Sequence, residues 1–542
     1  MTLGGCREPH AGDAVVGGDG ASGNGDAGGA ADRAPDPVEP ASGPGEPLRG
    51  RRVVAGDAPD SARPAAGPGG RARGSRVAPV TFLAAAALGG LVRFWQMWGR
   101  GPVEWADTVD FAATARSPWT DLGLWAGGRP VGPSLLFKAV GGDGDAYIAW
   151  QAAIAVACWA ALAASVVTVV AGRRPRAAAA GAVVAFSLTS PVTLWERSVL
   201  SESLALSLLA LVVAAGLQAA RGATRRRVAA LLATLALWAA IRDSHAAVAV
   251  IGGVALLVGV AWSWARARRR SPASARAGAR RRWASVGLGA VVLGLAAGWA
   301  SAHGERHAFP MRNVYEVRVL PYPDRVRWFA DHGMPQAGEF LGPRARPPFA
   351  EPGQAPVVYV ADDDGELGRW LDWVEGDGRA AFARYVATHP LYPVTEPLRV
   401  PERTFNNAWG DRGFYAPLDV RRVPLVDGVL ALPTTAVLAV AALAGGWALG
   451  RRRWSPALAA GVAAVGLAVP HGLVAWHSDG METARHLVGP AIQLHLGVLL
   501  LVVGTARGVV DRRGQVHVVH ECEVDGGDDR AADVASTSPG PH

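Results

Sequence analysis

The chain has 542 residues, 50% of them hydrophobic and 18% charged, with a formal net charge of +8. A soluble domain carries about 25% charged residues, so this composition argues against a single soluble enzyme, a fibrous protein or a disordered chain. The positive charge does not point to nucleic acid: Lys138 is the only lysine, and the arginines cluster between apolar segments, where they set membrane topology.

Residues 1–76 are rich in Gly, Ala, Pro, Asp and Arg and poor in large apolar side chains. They cannot offset the entropy of ordering and read as a disordered cytoplasmic tail. The first apolar run begins near residue 78 and is too long for a secretory signal. Ten apolar segments lie near 78–98, 146–171, 177–195, 199–220, 228–241, 245–264, 283–302, 426–449, 455–476 and 487–506. Most reach the ~20 residues needed to cross a ~30 Å core. Segment 177–195, which contains Pro191, and the short segment 228–241 are weak, and read as re-entrant or tilted.

The charges agree with this count. Arg173, Arg174 and Arg176, then Arg221 and Arg225 to Arg227, then the run from Arg266 to Arg282, then Arg451 to Arg453, then Arg507, Arg512 and Arg513 fall in one set of loops. The alternate short loops carry only Arg197, Arg242 and Arg485. The positive-inside rule then predicts a multi-pass protein of the cell membrane with both termini cytoplasmic. Trp95, Trp98, Trp262, Trp264, Trp283, Trp299, Trp454 and Trp476 lie near segment ends, as an interfacial belt would.

The expected fold is an all-α polytopic membrane protein of about 10 transmembrane helices, with a small α/β extracytoplasmic domain between helices 7 and 8. The membrane domain comprises 77–302, with an outer loop at 99–145, and 426–507. The extracytoplasmic domain is 303–425. It holds a predicted strand, Pro356 to Val360, and a helix from Glu366 to about Thr388, with a break at Gly376-Asp377-Gly378 and a stop at His389-Pro390. Residues 508–542 read as a second disordered cytoplasmic tail, in which His517, His520 and Cys522 are either metal ligands or, the favoured reading, incidental. Cys6, Cys158 and Cys522 are far apart and indicate neither a disulfide framework nor a zinc site.

Charges at membrane level are costly and therefore informative. Four groups stand out, all on the expected outer side. In Glu104-Trp105-Ala106-Asp107-Thr108-Val109-Asp110-Phe111, Asp107 and Asp110 would share a helix face. They read either as a general base, with Trp105 and Phe111 raising the pKa of Asp107 by desolvation, or as acids complementing a helix dipole. In Gly127-Gly128-Arg129-Pro130, Arg129 either holds a phosphate bidentately or snorkels to lipid head groups. In Trp195-Glu196-Arg197-Ser198-Val199-Leu200-Ser201-Glu202-Ser203, Arg197/Ser201 and Ser198/Glu202 would be i,i+4 pairs. Glu202 there reads as catalytic or as paired with an arginine of another helix. In Trp476 to His486, Asp479, Glu482 and His486 would form one stripe with Arg485 beside it. That pattern is not HExxH, and a phosphate site using Arg485 and His486 is favoured over a metal. No P-loop, Rossmann fingerprint or nucleophile elbow is present.

Taken together, the acidic pair after the first span, the Arg-Pro loop, the Leu-Ser-Glu-Ser helix start and Asp-x-x-Glu-x-x-Arg-His before the last span resemble the GT-C glycosyltransferase superfamily. The likeness is to the protein O-mannosyltransferase and aminoarabinose transferase types and related actinobacterial membrane proteins, and it covers about 78–506. Ala380 to Pro390 also looks like a stretch common there. The resemblance implies Asp107 as base on the acceptor hydroxyl, with Asp110 as rival, although the family's Asp-Glu pair reads Asp107-Thr108 here. It implies Arg129, Arg485 and His486 on the lipid phosphate. We add Glu202 to the catalytic candidates, Arg197 to the phosphate-binding ones, and Asp479 and Glu482 as supporting residues. The implied donor is a polyprenyl-phosphate sugar. The acceptor would be a cell-envelope glycan, lipid or protein, with membrane lipids as surroundings; no cofactor is implied, and a divalent metal is left open. The competing readings are a transporter or flippase of lipid-linked glycans, and a non-catalytic membrane scaffold or sensor.

Overall fold

The structure is a computed structural model. It describes residues 77–268, 274–304, 306, 308–335, 366–398, 418–430, 454–478 and 483–524, with single positions between 437 and 445. The predicted strand at Pro356 to Val360, and Asp479 and Glu482, lie outside the described residues, as do the N-terminal tail and residues 525–542.

The described residues form helices and no strand. α1 is Val77–Met97, and three short helices follow: α2 Ala106–Arg116, α3 Leu122–Ala126 and α4 Val131–Ala139. Then come α5 Gly144–Val167, α6 Arg173–Ser187, α7 Ser190–Thr193, α8 Glu202–Arg221, α9 Arg225–Ala239, α10 Asp243–Arg268 and α11 Ser274–His303. A polar stretch folds as α12 Ala308–Arg318, α13 Pro323–Ala330, α14 Glu366–Trp373, α15 Arg379–Thr388 and α16 Tyr392–Leu398. α17 Pro424–Leu430, α18 Pro456–Ser478 and α19 Thr483–Val524 close the order.

Seven of these helices are long and apolar enough to cross a membrane: α1, α5, α8, α10, α11, α18 and α19. The number becomes eight if α6 and the segment Ser190–Arg197, bent by 55° at the break before Pro191, form one broken span. The weak third segment is thus a bent pair. α9 is a helix of 15 residues, about 22 Å at 1.5 Å per residue, and too short to cross a ~30 Å core upright. Several apolar helices of spanning length make this a multi-pass membrane architecture.

Packing sets which helices are central. Trp159 and Leu162 of α5, Phe186 of α6, Leu206 and Ala210 of α8, and Ile492, Leu496 and Leu500 of α19 form one buried cluster. The spanning part of α19 is 89% buried and that of α1 only 17%, so α19 runs through the middle and α1 flanks the bundle. Two helix hairpins close by backbone contact. A Cβ on Gly253 of α10 would lie 2.6 Å from Gly287 O of α11, and a Cβ on Gly461 of α18 would lie 2.8 Å from Leu501 N of α19. Small residues let apolar helices approach where no hydrophobic drive favours one apolar partner over another.

The polar stretch has its own aromatic core of Tyr315, Phe329, Trp370, Phe382 and Tyr385. The expected helix from Glu366 to Thr388 is present. Its break is a π turn at Val374–Gly378, and it ends before His389-Pro390. Buried Arg325 donates to both carboxylate oxygens of Glu396, at 2.9 and 2.6 Å. His477 Nε2 donates to Pro393 O at 3.0 Å and ties α16 to the end of α18.

Three expectations are corrected. Trp476 is fully buried, with the Arg318 guanidinium 4.5 Å above its ring, and is not part of an interfacial belt. Residues 195–203 are not one helix: Leu194–Arg197 is a 3-10 turn, Ser198 is extended and α8 starts at Glu202, so the proposed i,i+4 pairs do not form. α19 continues to Val524, through residues whose composition predicted a tail.

Candidate functional site

Two chain segments are stitched together where the site forms. Val103 N donates to Arg197 O at 2.8 Å and Val199 N to Val103 O at 3.1 Å, an isolated parallel bridge. Thr108 Oγ1 accepts from Trp105 N and donates to Val199 O, both at 3.0 Å. This brings the N-terminus of α2, with Asp107 in its first turn, beside the N-terminus of α8, with Glu202 in its first turn. Acids are favoured at helix N-termini by the unsatisfied N–H groups there.

The Arg129 loop is held from both sides. Arg306 Nε donates to Gly127 O at 2.6 Å, and Gly132 N donates to Ala240 O at 3.0 Å. A Cβ on Gly132 would lie 2.3 Å from the Ile241 side chain, so the loop sits against the α9–α10 turn only because Gly is there. Arg129 Nε donates to Asp110 Oδ2 at 2.9 Å, and its Nη2 lies 2.8 Å from Asp107 Oδ1. Nη2 also contacts Asp110.

From the start of α19, Arg485 Nη2 donates to Asp107 Oδ2 at 2.5 Å, while Arg485 Nε lies 2.9 Å from Glu202 Oε1. Arg242, in the turn before α10, places Nη2 3.3 Å from the same Glu202 oxygen and 2.6 Å from His486 Nδ1. A guanidinium only donates, so His486 Nδ1 accepts and the ring proton sits on Nε2.

The result is one chain of contacts: Asp110, Arg129, Asp107, Arg485, Glu202, Arg242, His486. Side-chain exposure falls from 51% at Asp110 through 30% at Arg129, 17% at Asp107 and 9% at Arg485 to 1% at Glu202, and rises again to 12% at Arg242. The network is therefore most open at Asp110 and most buried at Glu202. It lies at the start of α8 and α10, and the arginine clusters near Arg221 and Arg266 lie at their far ends.

Burial would raise the pKa of Asp107, and the sequence context of Trp105 and Phe111 suggested that rise. The structure reverses it. The charges of Arg485 and Arg129 and the hydrogen bond from Arg485 outweigh desolvation and hold the carboxyl at about 2.

Asp107, Asp110, Glu202, Arg129, Arg485 and His486 are thus brought together from four separate stretches of chain. Arg197 is engaged elsewhere: it donates to Gly101 O at 3.3 and 3.1 Å and to Asp419 O at 2.6 Å, fixing the loop after α1 to residues 418–420. Sequence reasoning counted Arg242 only as a loop charge, although a lone arginine between two apolar segments beside Asp243 and His245 marks a candidate. It also passed over Arg93 in α1, which donates to buried Glu196 at 2.9 Å and to Ser187 O at 2.8 Å.

Comparison with protein-family models, curated proteins and solved structures finds no match to this chain.

Proposed function

We propose that the chain transfers a sugar from a polyprenyl-phosphate-linked donor to a cell-envelope acceptor, working as a GT-C type glycosyltransferase at the outer face of the cytoplasmic membrane. Both termini are cytoplasmic in this reading, because the arginine clusters lie at the helix ends opposite the network. The observation that carries the reading is Asp107 held between Arg129 and Arg485 at the end of the spanning helices, where a lipid phosphate would sit with its tail in the bilayer. The acceptor oxygen attacks the anomeric carbon, the bond from that carbon to the phosphate oxygen breaks, and Asp107 takes the hydroxyl proton. Polyprenyl phosphate leaves with growing negative charge, which Arg129, Arg485 and Arg242 stabilise. Energy comes from the donor, so no nucleotide motif is required.

Incubation of the purified protein with radiolabelled polyprenyl-phosphate sugars and envelope acceptors tests this reading. Transfer should occur with at least one donor and fall about 10²–10⁴-fold in Asp107→Asn, the range a general base supplies. Asp110→Asn should do much less. The second reading is a non-catalytic scaffold, favoured by the mutual pairing of acids and arginines in the network. Absence of transfer from every donor would establish it in place of the enzyme.

A further inference from the structure

Each of the two arginines that face Asp107 also touches a second carboxylate. Arg485 offers Nη2 to Asp107 but rests its Nε against Glu202. Arg129 offers Nη2 to Asp107 but its Nε donates to Asp110. Asp107 bridges two guanidiniums that are each anchored a second time, by a different carboxylate through a different nitrogen. Its removal would leave both Nη2 groups aimed at one vacated spot, with Glu202 and Asp110 still holding the cations. Asp107 contacts both arginines, and it sits two contacts inward from the exposed end.

Resting on the reading above, we infer that Asp107 is an exchangeable anion: the donor phosphate takes its place between Arg129 and Arg485, and only then is the carboxylate released to act as base. The exchange conserves charge, since a carboxylate and a phosphodiester each carry one negative charge. It also resolves a conflict within the site. A carboxylate that two guanidiniums hold ionised is a poor proton acceptor, because the proton must displace both ion pairs. Once phosphate occupies the guanidiniums, the same carboxylate regains an ordinary affinity for protons. Donor binding therefore precedes base activation, and an acceptor alone meets an inactive base. A half-exposed Arg129 meets the incoming phosphate first, and buried Arg485 completes the clamp. Two guanidinium forks facing one anion match phosphate geometry.

The test uses full-length protein in phosphatidylcholine nanodiscs at pH 5, where decaprenyl phosphate is mostly a monoanion because its second pKa is about 6. Dicyclohexylcarbodiimide, which reacts with protonated carboxyls, is applied with decaprenyl phosphate, with inorganic phosphate or with neither. Peptide mass spectrometry then reads labelling at Asp107, and native mass spectrometry reads binding. Decaprenyl phosphate should raise Asp107 labelling several-fold and leave Glu202 unchanged. Arg129→Ala/Arg485→Ala should label Asp107 without lipid and lose the lipid effect. Asp107→Asn, which deletes the competing anion, should bind decaprenyl phosphate about tenfold more tightly than wild type. A rise with inorganic phosphate as well would support exchange with phosphate from any source, and a rise with the lipid alone would assign the site to a lipid head group. Arginine-dependent binding of decaprenyl phosphate with unchanged Asp107 labelling in the wild type would overturn the exchange while leaving a phosphate site in place. Failure of both probes to bind would overturn the exchange together with the transferase reading. The labelling arm uses wild-type protein, so a variant that fails to fold does not remove the test.

Discussion

Asp107 and Arg485 lie 378 residues apart in the chain and meet at 2.5 Å. Arg485 is in the first turn of α19, where the helix dipole disfavours a cation. Asp107 and Glu202 each begin a helix, where acids are favoured. The arginine is held at an electrostatically poor position by two acids at good ones, so its location follows from those contacts and not from the needs of α19.

The pH dependence of stability follows from Asp107. Its carboxyl is held at about 2, below the ordinary 3.8, so the folded state binds this proton more weakly than the unfolded chain. The stabilisation is present above about pH 4 and lost as pH falls towards 2. Its size is roughly 2 kcal/mol, from about 1.4 kcal/mol per pKa unit. The gap in unfolding midpoint between detergent-solubilised wild type and Asp107→Asn should be open at pH 6 and narrow below pH 3. A gap independent of pH would show that the ion pairs do not contribute.

Glu202 and Asp110 should differ sharply in weight. Glu202 is 1% exposed and faces two arginines, so Glu202→Gln leaves buried positive charge uncompensated, a change that typically costs about 3–5 kcal/mol. Asp110 is half exposed, and solvent-screened pairs contribute only about 0–1 kcal/mol. Thermal unfolding in one detergent compares the two variants directly. Equal losses would mean that the burial gradient along the network has no energetic counterpart.

Topology is checked by reporter fusions. Those placed after residues 175, 223, 272 and 452 should read cytoplasmic, and those within 303–425 external. A cytoplasmic reading for 303–425 would invert the orientation and remove the proposed donor site from the outer face.

The spanning helices were legible because apolar length and loop charge are local properties of the chain. Asp107, Arg129, Glu202, Arg485 and His486 were legible for a related reason: a charge beside an apolar segment is costly, and each one requires an explanation. What local reading missed was long-range pairing. Arg197 resembled its neighbours in the stretch, but its partners are the carbonyls of Gly101 and Asp419. Arg242 carried the same signal as Arg485 and was read as a topology marker alone. The protonation behaviour of Asp107 was misjudged for the same reason. Its apolar neighbours are adjacent in sequence, whereas the guanidiniums that outweigh them come from other segments.

Lys138 is the molecule's single side-chain amine. Its ammonium donates to Ala115 O and Ser117 O, both at 2.8 Å, and so closes the C-terminal end of the helix that begins beside Asp107. With one ε-amine in 542 residues, an amine-directed fluorophore or cross-linker finds no other side-chain amine, and peptide mapping separates this adduct from that on the α-amino group. Attachment at Lys138 would have to pull the ammonium from those carbonyls. The rate of acylation at Lys138 is then a clock for fraying of α2, an optical handle on the helix that carries Asp107 that no engineered cysteine is required to provide.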